Sequence, residues 1–356
     1  MYIYAHGGNA AFENGKSDIL DLSANINPLG MPEGVAEAIA RAVTDCERYP
    51  DSLSTDLRER IARFENVRPE WIFCGNGASD IIFRLPKAVR AKNVLITAPA
   101  FSDYERSARA SEANVRRYAL DAGADFVPDG GFIEAVRAES PDLVFLCNPN
   151  NPTGKTADAR YMRDLLDTCA AAGAWAAIDE CFMDFVENSG GLTCKILLES
   201  NEKLIIIKAF TKTFALPGVR LGYAICANAD LIGALYAYGA DWPVSALAQA
   251  AGIAALDGAA AYIKKTVDYV SAERAVIEKG LDALGYKVFG SKANYVFVRN
   301  PYAFDLCGEL DKCGIRIRSC ANYHGLDGSY GRIAVSTKKN NERLLLSLSE
   351  ITKSLN

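Results

Sequence analysis

The sequence predicts an α/β protein: a mainly parallel sheet covered by helices, followed by a smaller α+β domain. Three observations carry this. Short apolar runs alternate with amphipathic segments through the middle of the chain, the pattern of strands buried on both faces. The 356 residues are 50% hydrophobic, enough for a large core. After about residue 260 the pattern changes to one long polar–apolar segment and then short strands and helices.

In chain order, strands are expected at 93–97, 142–147, 175–178, 204–208 and 222–226, with helices between them such as 160–172. The apolar stretch 231–256 is broken by Gly239, Asp241, Pro243, Ser245 and Gln249. It is rich in Ala and reads as two short buried helices, not a membrane span. A long helix is expected at 260–284. A strand (295–298), a helix (304–313), two strands (315–318 and 332–335) and a last helix from 341 follow. The division expected is an N-terminal arm (1–30), a large domain (31–260) and a small domain (261–356).

Composition excludes several functions. Lys plus Arg is 39 against 44 Asp plus Glu, a formal charge of −5, so no nucleic-acid partner is expected. Met1 to Gly8 carries neither a basic nor an apolar leader segment and does not read as a secretory signal, so a cytoplasmic protein with no membrane partner is expected. The ten cysteines form no Cys-x-x-Cys pair and read as free thiols in a reducing compartment. Two histidines are too few for a multi-His metal site, so no metal is expected.

Ligands of an open α/β sheet gather at the carboxyl ends of its strands, so the residues after each strand matter most. Strand 204–208 is followed by Thr211-Lys212 and then by Pro217-Gly218-Val219-Arg220-Leu221-Gly222-Tyr223. Burial lowers the pKa of such a lysine and makes its amine nucleophilic, and Arg220 could clamp a phosphate nearby. Strand 175–178 is followed by Asp179-Glu180-Cys181-Phe182; a carboxylate there can hold a heterocyclic cation. Asn148-Pro149-Asn150-Asn151-Pro152-Thr153-Gly154 forms a rigid turn able to aim an amide. Gly75-Asn76-Gly77-Ala78-Ser79 precedes a helical run whose first N–H groups suit a phosphate. Phe101, after strand 93–97, offers a face to a flat ring. An amine, an acid, a phosphate cradle, an arginine and a stacking ring are the parts of a pyridoxal phosphate site.

The order of these motifs resembles, nearly end to end, the fold-type I aminotransferases of the histidinol-phosphate aminotransferase group. Within that group the chain is similar to the threonine-phosphate decarboxylases of cobalamin biosynthesis. The pointers are His6-Gly7-Gly8-Asn9, Leu22-Ser23-Ala24-Asn25-Ile26-Asn27-Pro28-Leu29-Gly30, Glu47-Arg48-Tyr49-Pro50-Asp51, and Ile317-Arg318-Ser319-Cys320-Ala321-Asn322-Tyr323 with Gly325-Leu326-Asp327.

The resemblance implies an aminotransferase-like large domain and pyridoxal 5'-phosphate as cofactor. Lys212 would bind it covalently and shuttle protons, and Asp179 would keep its ring nitrogen protonated. Asn151 would bond the ring's phenolic oxygen, and Phe101 would stack on the ring. Ala78, Ser79, Thr211 and Arg220 would hold the phosphate, joined by Tyr49 from a neighbouring subunit, which implies a homodimer with shared active sites. Arg332 would bind an acid group of a small phosphorylated amino acid, and His6, Asn27, Asn294, Arg318 and Asn322 would line its pocket.

The implied reaction is decarboxylation of L-threonine O-3-phosphate, or of a close analogue such as phosphoserine, to an aminoalkyl phosphate for the cobamide. The alternative is an aminotransferase acting on histidinol phosphate or an aromatic amino acid. A non-catalytic effector domain is disfavoured, because Lys212 is present and no DNA-binding segment precedes residue 30. Three positions depart from the family pattern: Ala209 where a serine is usual, Phe182 where many relatives have tyrosine, and Ser336 where the decarboxylase pattern has a second arginine.

Overall fold

The structure, a computed structural model, describes residues 7, 8 and 19–355. Seven strands form the large sheet in the order Ile72–Gly75, Gly222–Ile225, Leu204–Ala209, Trp175–Asp179, Leu143–Cys147, Asn93–Ala98, Asn114–Ala119. Only Gly222–Ile225 runs against its neighbours; every other adjacent pair is parallel. The five expected strands are all present, each within one residue of its expected ends.

The two unexpected strands sit at the sheet's edges. Ile72–Gly75 is four residues long and runs straight into a glycine turn, too short to show a period. Asn114–Ala119 carries Arg116 and Arg117 and is largely exposed, a charged edge without an apolar run.

The sheet is apolar on both faces because both are covered. Ile96, Phe145, Ala177 and Ile207 face one core, with helices Gly77–Ala88 and Ser102–Ala110 and much of the C-terminal region. Leu95, Val144, Ile178 and Ile206 face the other, with helices Thr55–Glu65, Ala159–Ala171 and Ala246–Leu256. The stretch 231–256 folds as two helices, Ala229–Ala237 and Ala246–Leu256. No single helix among the described residues is long and apolar enough to cross a membrane.

The second sheet is antiparallel, in the order Arg318–Ser319, Tyr330–Ala334, Tyr295–Arg299, Lys287–Val288. Helices Ala259–Ala283 and Lys338–Leu355 pack with it. The segment 315–318, expected as one strand, is two. Ile315–Arg316 pairs in parallel with Leu20–Asp21, and Arg318–Ser319 turns into the small sheet. No local pattern encodes that split, because the partner strand lies about 300 residues away. The last helix starts at Lys338, three residues before the expected 341.

Candidate active site

A cavity of about 770 Å³ opens where the parallel strands end. Side-chain alternation along two strands decides what enters it. Asp179 ends its strand facing the cavity, whereas Glu180 points to the opposite face. There Glu180 accepts hydrogen bonds from the Thr193 hydroxyl (2.7 Å) and the Cys194 N–H (2.7 Å). Asp179 is 5% exposed. Its Oδ2 accepts from the Tyr104 hydroxyl at 2.5 Å and its Oδ1 from the Cys181 N–H at 2.9 Å. Burial raises its pKa and these two donors oppose the rise. The neighbouring thiols of Cys147 and Cys181 are pushed well above the ordinary cysteine value by burial and by the Asp179 charge, so both stay protonated. All ten cysteines are unpaired and seven are buried.

Two lysines lie four residues apart and are treated differently. Lys208, within its strand, points to the far face and is held by Glu65 (2.8 Å) and Asp184 (2.9 Å), which keep it charged. Lys212, in the turn Phe210–Thr213, lines the cavity. Burial first, then the positive charges of Arg332 and Arg220, bring its pKa down to about 8. Of the two, Lys212 is the amine that can lose its proton and act as a nucleophile.

Opposite Lys212, helix Gly77–Ala88 points its N-terminus at the cavity with no side-chain cap on Asn76. Two glycines make this end compact. A Cβ on Gly77 would lie 2.9 Å from the Arg220 guanidinium, and one on Gly222 would lie 2.5 Å from the Ala78 nitrogen. Arg220 itself has φ +59°, an uncommon backbone state for arginine, and this places its guanidinium over the helix start. The N–H groups of the helix start and a guanidinium form an anion cradle, beside the Ser79 hydroxyl, which donates to Asp103 Oδ2 (3.1 Å).

The far wall belongs to the small sheet. Arg318 and Arg332 are directly opposite on adjacent antiparallel strands, so both side chains project to one side, and both line the cavity. Arg332 donates to Asn151 Oδ1 (2.5 Å) and to the Ser23 carbonyl (2.8 Å). The Tyr323 hydroxyl also donates to Asn151 Oδ1 (3.3 Å), leaving the Asn151 NH₂ as the donor for a ligand. Phe182 packs edge-on against Tyr295.

Most expected residues gather here: Lys212, Asp179, Asn151, Phe101, Ala78, Ser79, Thr211, Arg220, Asn27, Arg318 and Arg332 all line the cavity. Three are placed elsewhere, and a fourth is not described. Tyr49 is 79% exposed and stacks on Trp242, away from this chain's own cavity. Asn294 is fully buried behind the wall and donates to the Asn25 carbonyl. Asn322 accepts from Arg318 in an adjoining pocket of about 200 Å³. His6 lies outside the described residues.

Asn27 lines the cavity, but its amide is consumed. Its NH₂ donates to the Thr213 carbonyl and the Thr266 hydroxyl, and its oxygen accepts from the Leu29 N–H. It therefore clamps the turn that carries Lys212. Two residues earlier Asn25, 2% exposed, also lines the cavity, and its NH₂, itself out of contact with solvent, has no hydrogen-bond partner. An orphaned buried donor in a cavity is the mark of a ligand contact. Asn25→Ala is expected to lower kcat/KM about ten- to a hundredfold, chiefly through KM, the size of one hydrogen bond to a charged group. An unchanged KM would assign Asn25 to the fold alone. The string expected to line the pocket does so through both residues, with the Asn27 amide bonded within the fold and the Asn25 NH₂ unpaired. Sequence reasoning missed Tyr323 and Tyr104; the signal for Tyr104 was its place one helical turn after Phe101.

A neutralisable amine, a buried carboxylate and an anion cradle at the carboxyl edge of a parallel sheet define an α/β enzyme that works through a lysine and a phosphorylated group. The chain belongs to the aminotransferase class I and II family, which residues 17–348 match. It is 35% identical to the threonine-phosphate decarboxylase of Salmonella typhimurium, over 99% of this chain and 97% of that protein. It is 32% identical to the adenosylcobalamin biosynthesis bifunctional protein of Leptospira interrogans, over 99% of this chain and 41% of that protein. Among solved structures, the histidinol-phosphate aminotransferase of Clostridium acetobutylicum superposes with a TM-score of 0.88 at 30% identity, over 95% of this chain and all of that one.

Enzymes of this fold-type I family use pyridoxal 5'-phosphate. The cavity fits that cofactor: the glycine-bared helix start under Arg220 accepts a phosphate, Lys212 can present a neutral amine, and Asp179 offers a buried carboxylate.

Proposed function

We propose that this chain decarboxylates L-threonine O-3-phosphate, or a close phospho-amino acid such as phosphoserine, to an aminoalkyl phosphate for cobamide assembly. The observation that carries this reading is the pair Arg318 and Arg332. Like charges directly opposite across two strands repel, and an anionic ligand between them offsets that cost. Both arginines line the cavity beside Asn25 and beyond the cofactor cradle, where a substrate with two acid groups belongs.

In this reading Lys212 holds the cofactor's aldehyde carbon, Asp179 pairs with its ring nitrogen, Asn151 donates to its phenolic oxygen and Phe101 covers its face. Ala78, Ser79, Thr211 and Arg220 hold its phosphate. The bound ring draws electrons from whichever bond at the substrate's α carbon stands perpendicular to it. Arg332 and Arg318 choose that bond by where they hold the two acid groups. If they hold the side-chain phosphate, the carboxylate is free to turn out of plane and leave as CO₂. Once the substrate's amine had displaced it, Lys212, whose pKa is brought down to about 8, would be the group placed to hold and return a proton at that carbon. The working unit is a homodimer in which the exposed Tyr49 reaches the partner's cradle. Residues 31–260 form the large domain and 261–356 the small one, the arm expected at 1–30 lies largely outside the described residues, and the protein acts in the cytoplasm.

One observation favours a second reading, an aminotransferase acting on histidinol phosphate or an aromatic amino acid. Ser336 lines the cavity where the decarboxylase pattern has an arginine, and Lys338 and Lys339 do not replace it, since both are exposed at the start of the last helix. Purified protein loaded with pyridoxal phosphate distinguishes the two when given O-phosphothreonine without a keto acid. Steady CO₂ release is expected. Conversion to the pyridoxamine form that stalls until 2-oxoglutarate is added would overturn the decarboxylase reading.

A further inference from the structure

We propose that Tyr104 is the positioning residue for the cofactor's ring: its hydroxyl keeps Asp179 ionised and aimed, and its ring sets Phe101. The proposal rests on the reading that Asp179 pairs with the ring nitrogen.

The geometry is specific. Tyr104 lies in helix Ser102–Ala110, one turn after Phe101, and is completely buried. Its ring stacks on Phe145 with centroids 4.9 Å apart and planes 12° apart. Phe145 belongs to the strand Leu143–Cys147, so the ring is anchored on a fully buried interior strand of the sheet. Phe101 meets the same ring edge-on, at 5.7 Å and 79°. One side chain thus touches both the residue that would cover the cofactor and the residue that would hold its nitrogen.

The chemistry follows from hydrogen-bond counting. A buried carboxylate that must stay anionic needs donors. Asp179 has one on each oxygen, the Tyr104 hydroxyl and the Cys181 N–H. The backbone donor is kept when a side chain is exchanged, and the Cys181 thiol is only a weak donor, so the Tyr104 hydroxyl is the strong side-chain group through which the sequence sets this charge. Burial and the adjacent carboxylate keep the phenol itself protonated, so it acts as a donor throughout the working range. The other titratable groups facing Asp179 are the thiols of Cys147 and Cys181 and the phenol of Tyr295. Burial raises all three, and none carries charge near neutral pH. A ring nitrogen stays protonated only against an ionised partner. Removing the hydroxyl therefore weakens cofactor binding, and weakens it more as the pH falls and Asp179 takes up a proton.

The test is a spectroscopic titration of the cofactor-free protein with pyridoxal phosphate at pH 7.5 and pH 6, for the natural protein, Tyr104→Phe, Asp179→Asn and the double variant. Tyr104→Phe keeps the ring and its stacking. The dissociation constant is expected to rise about tenfold at the higher pH, the effect of one charge-assisted hydrogen bond, and further at the lower. In the Asp179→Asn background the same change is expected to add nothing, because Tyr104 acts through Asp179. Tyr104→Phe within about twofold of the natural protein at both pH values, with Asp179→Asn impaired, would overturn the proposal alone. Asp179→Asn without effect would overturn the reading of Asp179 as well. Should Tyr104→Phe fail to fold, the double variant buries no charge there, and a further loss of affinity relative to Asp179→Asn would overturn the proposal.

Discussion

Lys212→Ala is expected to abolish turnover, with kcat/KM falling by many orders of magnitude, while the protein still folds and melts near the natural temperature. The side chain contributes little to packing, being half-buried at the cavity wall, and its amine is destabilised by the positive charges of Arg332 and Arg220. Removing it deletes the nucleophile and leaves the core intact. The pKa gives a second readout. An amine attacks an aldehyde only when neutral, so cofactor uptake by the cofactor-free protein should accelerate as pH rises to about 8 and level off above it. An ordinary lysine would keep accelerating to above pH 10. Retained turnover in Lys212→Ala would remove the central assignment. So would an uptake profile centred near 10.5.

The sheet and its functional ends were legible because they follow local rules. A strand buried on both faces is an apolar run, and its end is marked by a polar residue, which is how Asp179 shows itself; Lys212 lies three residues past the end of its strand, in the turn that follows. What stayed hidden depends on distant partners. Asn25 and Asn27 stand in one short string, and only the positions of Thr213 and Thr266 decide which amide is spent on the fold. Arg318 becomes Arg332's neighbour through a register between strands, and the break at Ile317 arises because Ile315–Arg316 is claimed by Leu20–Asp21. Tyr323 meets Asn151 across 172 positions of sequence. Sequence reads the ends of elements well and the meetings between elements poorly.

Glu65→Gln is expected to lower stability by about 3 kcal/mol at neutral pH, the cost of leaving a buried charge with too few partners. Glu65 is 2% exposed and accepts from Lys195 (2.8 Å), Lys208 (2.8 Å) and the Tyr223 hydroxyl. Lys208 also meets Asp184 (2.9 Å), whose other oxygen accepts from the Thr213 hydroxyl (3.0 Å) beside Lys212. Burial opposes the ionised carboxylate, but the two ammonium groups outweigh it and hold the Glu65 pKa well below its ordinary value of 4.5. The sign follows. A carboxyl with a depressed folded pKa stabilises the fold fully above 4.5, and that contribution drains away as pH falls below it. The natural protein should therefore lose melting temperature more steeply than Glu65→Gln, which has already forfeited the interaction, as pH falls from about 5 towards 2. Parallel slopes and equal melting temperatures would show that the cluster holds little energy. The same cluster explains why two lysines four residues apart behave as opposites. Lys208 is surrounded by carboxylates on one face of the sheet and stays charged to brace the turn through Asp184 and Thr213. Lys212 faces arginines on the other side and is left free to lose its proton.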